Sequence, residues 1–421
     1  MRLPVRLYLT RSIWLKLHLY LALSVGFIFA LIGVTGSLLI YSDELDELLN
    51  PQLVIEASQQ AILPPDTLLA AVRAAHPNRN GVWTLEMPRT PHSPVTFWFD
   101  KPAESTDALY APLMVAVHPY SGQVLSSRLW GQTFVTLIND LHTELMLEAT
   151  GRKAMAELAL CLMLSVGSGL YLWWPGFAQL RKAFLPIHDQ GLMRFVFDVH
   201  KLIGFFTAIF LLLMAFTGFH LAYPPLLEYL TASAGMGHGD AGPNVRSSAV
   251  PNTRPIKLIE AVFIARGPFP SSEVRRISTP RGETGTYRIN IKQKNEINQH
   301  HPMTNVWIDR WSGQIRDVQN PSEFSSGQKF TTWMWPLHTG EAFAGTGRLL
   351  WFFGGFSPLF LYVTGCAHWL YKRGTLQDRP LDLPGLWAKL LIYLTMLARE
   401  SLKLSKVLLL KIQHYLDSRR H

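Results

Sequence analysis

The chain reads as an α-helical integral membrane protein, with four transmembrane helices in two duplicated pairs, two external α+β units and a C-terminal amphipathic interfacial helix. Three observations predict this. Hydrophobic residues make up 48% of the 421 positions and charged residues only 16%, with a mean hydropathy of +0.13. Four apolar segments, 14–41, 154–175, 200–223 and 346–371, reach the roughly 20 helical residues that a bilayer requires. Parts of the first half also return in the second. His18, Thr35 and Gly36 recur as His200, Thr217 and Gly218, while His142, Arg152, Gly169 and Trp173 recur as His338, Arg348, Gly365 and Trp369.

Residues 1–41 carry Arg2, Arg6 and Arg11 ahead of the first span and Lys16 at its start. Its apolar core is longer than a signal-peptide h-region of about 7–15 residues. The acidic run Asp43-Glu44-Leu45-Asp46-Glu47 then leads a retained anchor into water. The external segment 42–153 opens a helix at Pro64-Pro65-Asp66 (DTLLAAVRAAHP), followed by strands VWTLEM and PVTFWFD and a hairpin MVAVHPYSGQVLSS. After the second span (154–175), the loop 176–199 holds Arg181, Lys182 and Arg194, with Lys201 entering the third span (200–223). Segment 224–345 begins with a Pro- and Gly-rich stretch, 224–255, expected as a mobile connector. It continues as the helix IKLIEAVFIARG and strands VRRIST, TYRINIKQ and NVWIDRWSGQIRDV. Ser-Gly-Gln recurs at 121–123 and 312–314, where a hairpin needs glycine's positive φ. The fourth span (346–371) precedes Lys372, Arg373 and Arg379. The tail 372–421 is apolar but interrupted by Lys389, Arg399, Lys403, Lys406 and Lys411, as expected of an amphipathic helix on anionic membrane lipid.

The Lys and Arg clusters place both termini and the loop 176–199 in the cytoplasm. The long segments then face the opposite side, the periplasm of a bacterial inner membrane. The net charge of +9 is accounted for largely by cytoplasmic anchoring, and nothing supports a nucleic-acid partner. Cys161 and Cys366 lie inside spans and read as packing residues, not as a disulfide or CxxC centre.

Histidine is costly in hydrocarbon, so its repetition points to ligands. His18 and His200 start spans one and three, and His368 lies near the end of span four, all at the cytoplasmic face. His142 and His338 precede spans two and four, and His220 ends span three, at the external face. His200 and His220 are about 30 Å apart along a helix, so two stacked sites are implied. No short Cys/His grouping suits zinc. Haem needs only one or two axial ligands from facing helices, and the absence of CxxCH excludes covalent attachment. The expectation is two haem b groups, on His18 with His200 and on His142 with His338. His220 and His368 lack counterparts and stand as alternates, through His220–His338 and His200–His368. Arg152 and Arg348 match beside the outer site, where they would meet haem propionates or serve as caps or lipid contacts.

The segments LHLYLAL…GVTGSLL, LHTEL…GLYLWWP, VHKLIGF…FTG and LHTGE…GCAHWLYKRG resemble the PepSY-associated transmembrane proteins across residues 10–375. The resemblance implies that the external units are PepSY-like domains. Within the family the chain is most similar to inner-membrane ferric-siderophore (ferrioxamine) reductases. That likeness implies a di-haem enzyme passing electrons from a cytoplasmic donor or membrane quinol to a periplasmic ferric siderophore of hydroxamate type, releasing Fe(II). Trp130, Trp333, Trp335 and Tyr223 would then be substrate contacts, or else members of an interfacial aromatic belt. No flavin or NADPH module follows the fourth span, unlike in some relatives. Two rival expectations are a haem protein serving quinol or another small molecule, and a haem-free PepSY-type binding or regulatory membrane protein.

Overall fold

The structure, a computed structural model, describes residues 11–105, 108, 110–184, 191–233, 244–248 and 254–378. The expected amphipathic tail from 384 onward lies outside the described residues. By internal contacts the chain forms a larger unit, through Trp174 and again over Ile203–Val363, and a smaller one, Pro175–Leu202 with the chain from Thr364.

In the larger unit, α1 (Arg11–Leu39) carries the first apolar segment unbroken. The short α2 (Ser42–Leu49) places Asp43 and Glu44 in its first turn, where carboxylates complement the helix dipole. α3 (Pro65–Ala75) starts on a proline whose missing N–H costs a first turn nothing. The meander β1 (Trp83–Glu86), β2 (Val95–Phe99), β3 (Leu113–Val117) and β4 (Val124–Leu129) follows, then α4 (Phe134–Glu144) and α5 (Glu148–Trp173). After the short α6 (Leu180–Ala183), α7 (Leu192–Ala222) begins about two turns before the expected start of the third span.

The order of elements then repeats: α8 (Pro224–Thr231), α9 (Leu258–Arg266), β5 (Glu273–Ser278), β6 (Thr286–Lys292), β7 (Thr304–Asp309), β8 (Ile315–Gln319), α10 (Ser326–Thr332), α11 (Met334–Thr339), α12 (Ala344–Gly354) and α13 (Ser357–Lys372). Two expectations are corrected. The stretch from 224 does not begin as a mobile connector: Pro224 and Pro225 open α8, which closes on Ala232 in the left-handed region at φ 50°. The fourth span is two helices, because Pro358 lacks the N–H that would continue α12 into α13. The break serves close packing. A Cβ on Gly33 would run into the Gly355 carbonyl, and one on Gly355 into Ser37 Oγ, so α1 meets the break backbone to backbone.

The eight strands form one antiparallel sheet in the order β4-β3-β2-β1-β5-β6-β7-β8. Its two halves join through β1 and β5, with Thr84 opposite Ser278, Leu85 opposite Ile277 and Glu86 opposite Arg276. One face packs Leu85, Phe97, Val115, Ile277 and Ile289 against Leu68 and Val72 of α3 and Ala261 and Ala265 of α9, all essentially solvent-free. Asp66 of α3 accepts hydrogen bonds from the Leu258 and Ile259 amides, both at 3.0 Å, and so satisfies the N-terminus of α9 in the other half. The hairpin glycines Gly122 and Gly313 both take φ +74°, as the repeated Ser-Gly-Gln requires.

Candidate cofactor site

His142 and His338 of the repeat sit on short helices. Thr133 caps α4, and its Oγ1 accepts from the Thr136 amide at 3.2 Å. The helix ends on Leu145 at φ 52°, with His142 in its last turn. α11 ends on Gly340 at φ +79° with His338 in the same place. These tight ends turn the chain into the next long helix and leave both rings directed back into the protein.

The rings of His142 and His338 lie 6.2 Å apart between centroids, at 49°. Burial holds the His142 imidazole below its usual pKa. Burial, then proximity to His142, pushes His338 down to about 3. Both are therefore neutral near pH 7, the form that binds a metal.

Each matched histidine has the same seat: a hydroxyl residue followed by glycine on a facing helix. His142 Nδ1 lies 3.2 Å from Thr35 Oγ1, and a Cβ on Gly36 would come within 2.7 Å of its Cε1. His338 Nδ1 lies 2.9 Å from Thr217 Oγ1, with Gly218 under Cε1 at 3.2 Å. His18 Nδ1 lies 3.1 Å from Ser168 Oγ, and a Cβ on Gly169 would come within 3.1 Å of its Cε1. Within the smaller unit, His200 Nδ1 lies 2.9 Å from Thr364 Oγ1, and a Cβ on Gly365 would come within 3.3 Å of its Cε1. The hydroxyl directs the ring, and the glycine leaves it room.

These contacts also set the tautomer. His142 Nδ1 is 3.0 Å from the Ile32 carbonyl, and His18 Nδ1 is 3.0 Å from the Ser165 carbonyl. A carbonyl only accepts, so both Nδ1 atoms carry the proton. Thr217 donates its own proton to the Leu213 carbonyl at 2.7 Å, which leaves an oxygen lone pair to accept from His338 Nδ1–H. In these three rings Nε2 is then the unprotonated nitrogen, the one able to ligate a metal.

The unmatched histidines lack this seat. His220, 3% exposed, and His368 both have a buried Nδ1 without a hydrogen-bond partner, and His368 stacks on Phe197 at 4.5 Å. Arg152 Nε lies 3.3 Å from Glu144 Oε2. Arg348 reaches the Ile40 carbonyl at 2.8 Å and Glu44 at 2.7 Å, over the Tyr41 ring. The matched arginines thus have different partners. Of the aromatics singled out in the sequence, Trp130 donates to Asp140, two residues before His142, at 2.7 Å. Trp335, three before His338, meets the His301 ring at 4.7 Å. Trp333 and Tyr223 are partly exposed. Sequence reasoning missed Ser168, Thr364 and Asp140. The Ser168–Thr364 match was available at the spacing that relates Gly169 to Gly365.

Among the described residues no three His, Cys, Asp or Glu side chains converge on one point, so donors come at most in pairs. Two neutral imidazoles at this separation suit an ion whose other ligands come from a macrocycle: two metal–nitrogen bonds of about 2 Å each plus the ring radii add up to about 6 Å. The His142–His338 donor set fits a haem.

The fold is that of a membrane-embedded protein, with four helical segments among the described residues long and apolar enough to cross a bilayer. The chain belongs to the PepSY-associated TM region family, whose profile matches residues 15–372. No curated protein matches the chain.

Proposed function

We propose that the protein is a di-haem b-type reductase that carries electrons across the bacterial inner membrane to a periplasmic ferric siderophore and releases Fe(II). The observation that carries this reading is the fourfold seat: four histidines matched in the sequence, each held at Nδ1 by a hydroxyl and backed at Cε1 by a glycine. Ordinary packing does not call for the same seat four times. The PepSY-associated TM family, which matches most of the chain, supports it.

In this reading His142 and His338 are the external axial ligands, and His18 and His200, each seated in its own unit, the internal ones. Haem, when bound, supplies one-electron carrier chemistry. The protein holds the His142 and His338 imidazoles neutral and orients all four rings through their Nδ1 contacts. Each electron delivered converts one Fe(III) to Fe(II), which hydroxamate oxygens hold far more weakly, and the freed ligand takes protons from water. The electron comes from a cytoplasmic donor or membrane quinol.

The purified protein, made with haem available, should show a reduced b-type spectrum with two haems per chain. Ferric ferrioxamine should reoxidise it and yield Fe(II) trapped by a chelator. His142→Ala or His338→Ala should remove one haem, and His220→Ala none. A colourless wild-type preparation overturns the proposal. Haem without reoxidation leaves quinol or another small molecule as the redox partner.

A further inference from the structure

The four seats are alike in plan but not in the number of acceptors they offer. In the first half, each ring has two acceptors in the helix groove. His142 Nδ1 meets the Ile32 carbonyl at 3.0 Å and Thr35 Oγ1 at 3.2 Å. His18 Nδ1 meets the Ser165 carbonyl and Ser168 Oγ. The carbonyl stands three residues before the hydroxyl residue in both cases. The counterpart beside His338 is the Met214 carbonyl, which accepts from Thr217 Oγ1 at 3.3 Å, as Ile32 and Ser165 accept from Thr35 and Ser168, but has no hydrogen bond to the ring. Among the described residues, Thr217 Oγ1 is the only hydrogen-bond partner of His338 Nδ1.

We infer that Thr217 is a positioning residue on which the tautomer and orientation of His338 depend, whereas Thr35 shares that task at His142 with the Ile32 carbonyl. A buried N–H left without an acceptor is costly, so losing the Thr217 hydroxyl forces the ring to rotate or exchange tautomers. Losing the Thr35 hydroxyl leaves Nδ1–H on a carbonyl. Hydrogen bonding at Nδ1 also makes an imidazole a stronger donor at Nε2, which stabilises the oxidised metal it ligates. The two external ligands are thus unequally secured, and the second half of the repeat holds the adjustable one. This consequence rests on the haem reading, whereas the tautomer assignment stands without it.

The test compares full-length wild type with Thr217→Val, Thr217→Ser and Thr35→Val. Valine keeps the shape and removes the hydroxyl; serine restores it. Haem content, the low-spin electron paramagnetic resonance signal and a spectroscopic redox titration are measured on each. The expected result is an altered low-spin signal and a higher external midpoint potential in Thr217→Val, return toward wild type in Thr217→Ser, and a smaller change in Thr35→Val. Equal effects of the two valine variants, or none in either, overturn the inference while two haems in the wild type uphold the proposed function. If wild type is colourless, the haem reading falls, and ¹⁵N shifts of labelled histidine in the same proteins decide. Loss of a protonated-Nδ1 signal in Thr217→Val alone supports the inference, and its retention there overturns it.

Discussion

A glycine beside a ring acts by what it leaves out. At the four seats the space for a Cβ is taken by imidazole Cε1, most tightly at Gly36, where the separation would be 2.7 Å against 3.1–3.3 Å at Gly169, Gly218 and Gly365. An imidazole held at Nδ1 by both Thr35 and Ile32 has little freedom to give way, so overpacking should cost about 1–3 kcal/mol. Gly36→Ala is accordingly expected to lower haem content more than Gly218→Ala or Gly365→Ala, measured as haem per chain in the purified variants. Equal losses at all three would show that ring clearance does not set occupancy.

At the scale of elements, a buried ion cluster holds the two halves of the sheet together. Glu86 of β1, 7% exposed, receives Arg275 at 2.8 Å and Arg276 at 3.2 Å from β5, and Arg89 at 2.9 Å. Burial alone would raise the Glu86 carboxyl, but the three guanidinium groups outweigh it and hold the pKa at about 2, against an ordinary 4.5. A carboxyl depressed in this way stabilises the fold fully above its ordinary pKa, and the stabilisation is lost as pH falls from 4.5 toward about 2. Glu86→Gln leaves the arginines without their shared anion and should cost about 3 kcal/mol at neutral pH. Hydrogen exchange at the β1 and β5 amides should accelerate in the variant at pH 7, with the gap to wild type narrowing below pH 4. Unchanged protection would make the cluster incidental to the sheet.

For the whole molecule, the proposed electron path needs the sheet and the His142–His338 pair on the external side of the membrane. The turn residue Ser121 and Arg181 of α6 are both exposed, one before and one after the second span in the chain. In a background carrying Cys161→Ala and Cys366→Ala, Ser121→Cys should react with an impermeant maleimide in cells whose outer membrane has been opened. Arg181→Cys should react only after the inner membrane is permeabilised. The reverse pattern would invert the orientation and with it the direction of electron flow.

Much of this architecture was legible in the chain because its causes are local. Apolar length announced the spans, and alternation with Ser-Gly-Gln turns announced all eight strands. Exact offsets announced which histidines would have alike seats. The features that remained hidden depend on which surfaces meet. Nothing in VWTLEM or VRRIST says that β1 and β5 pair across nearly 200 residues, since each strand would serve equally well at an edge. Arg152 and Arg348 occupy matched positions yet meet different groups, because Ile40 and Glu44 lie near only one of them. Ser168 and Thr364 read as ordinary small residues within apolar helices until a facing helix brings a histidine ring against each. Residue order thus determined the spans, the strands and the matched histidines, through periodicity and turn chemistry. Tertiary structure alone decided how those histidines are held, because a seat is made by two helices and neither carries it by itself.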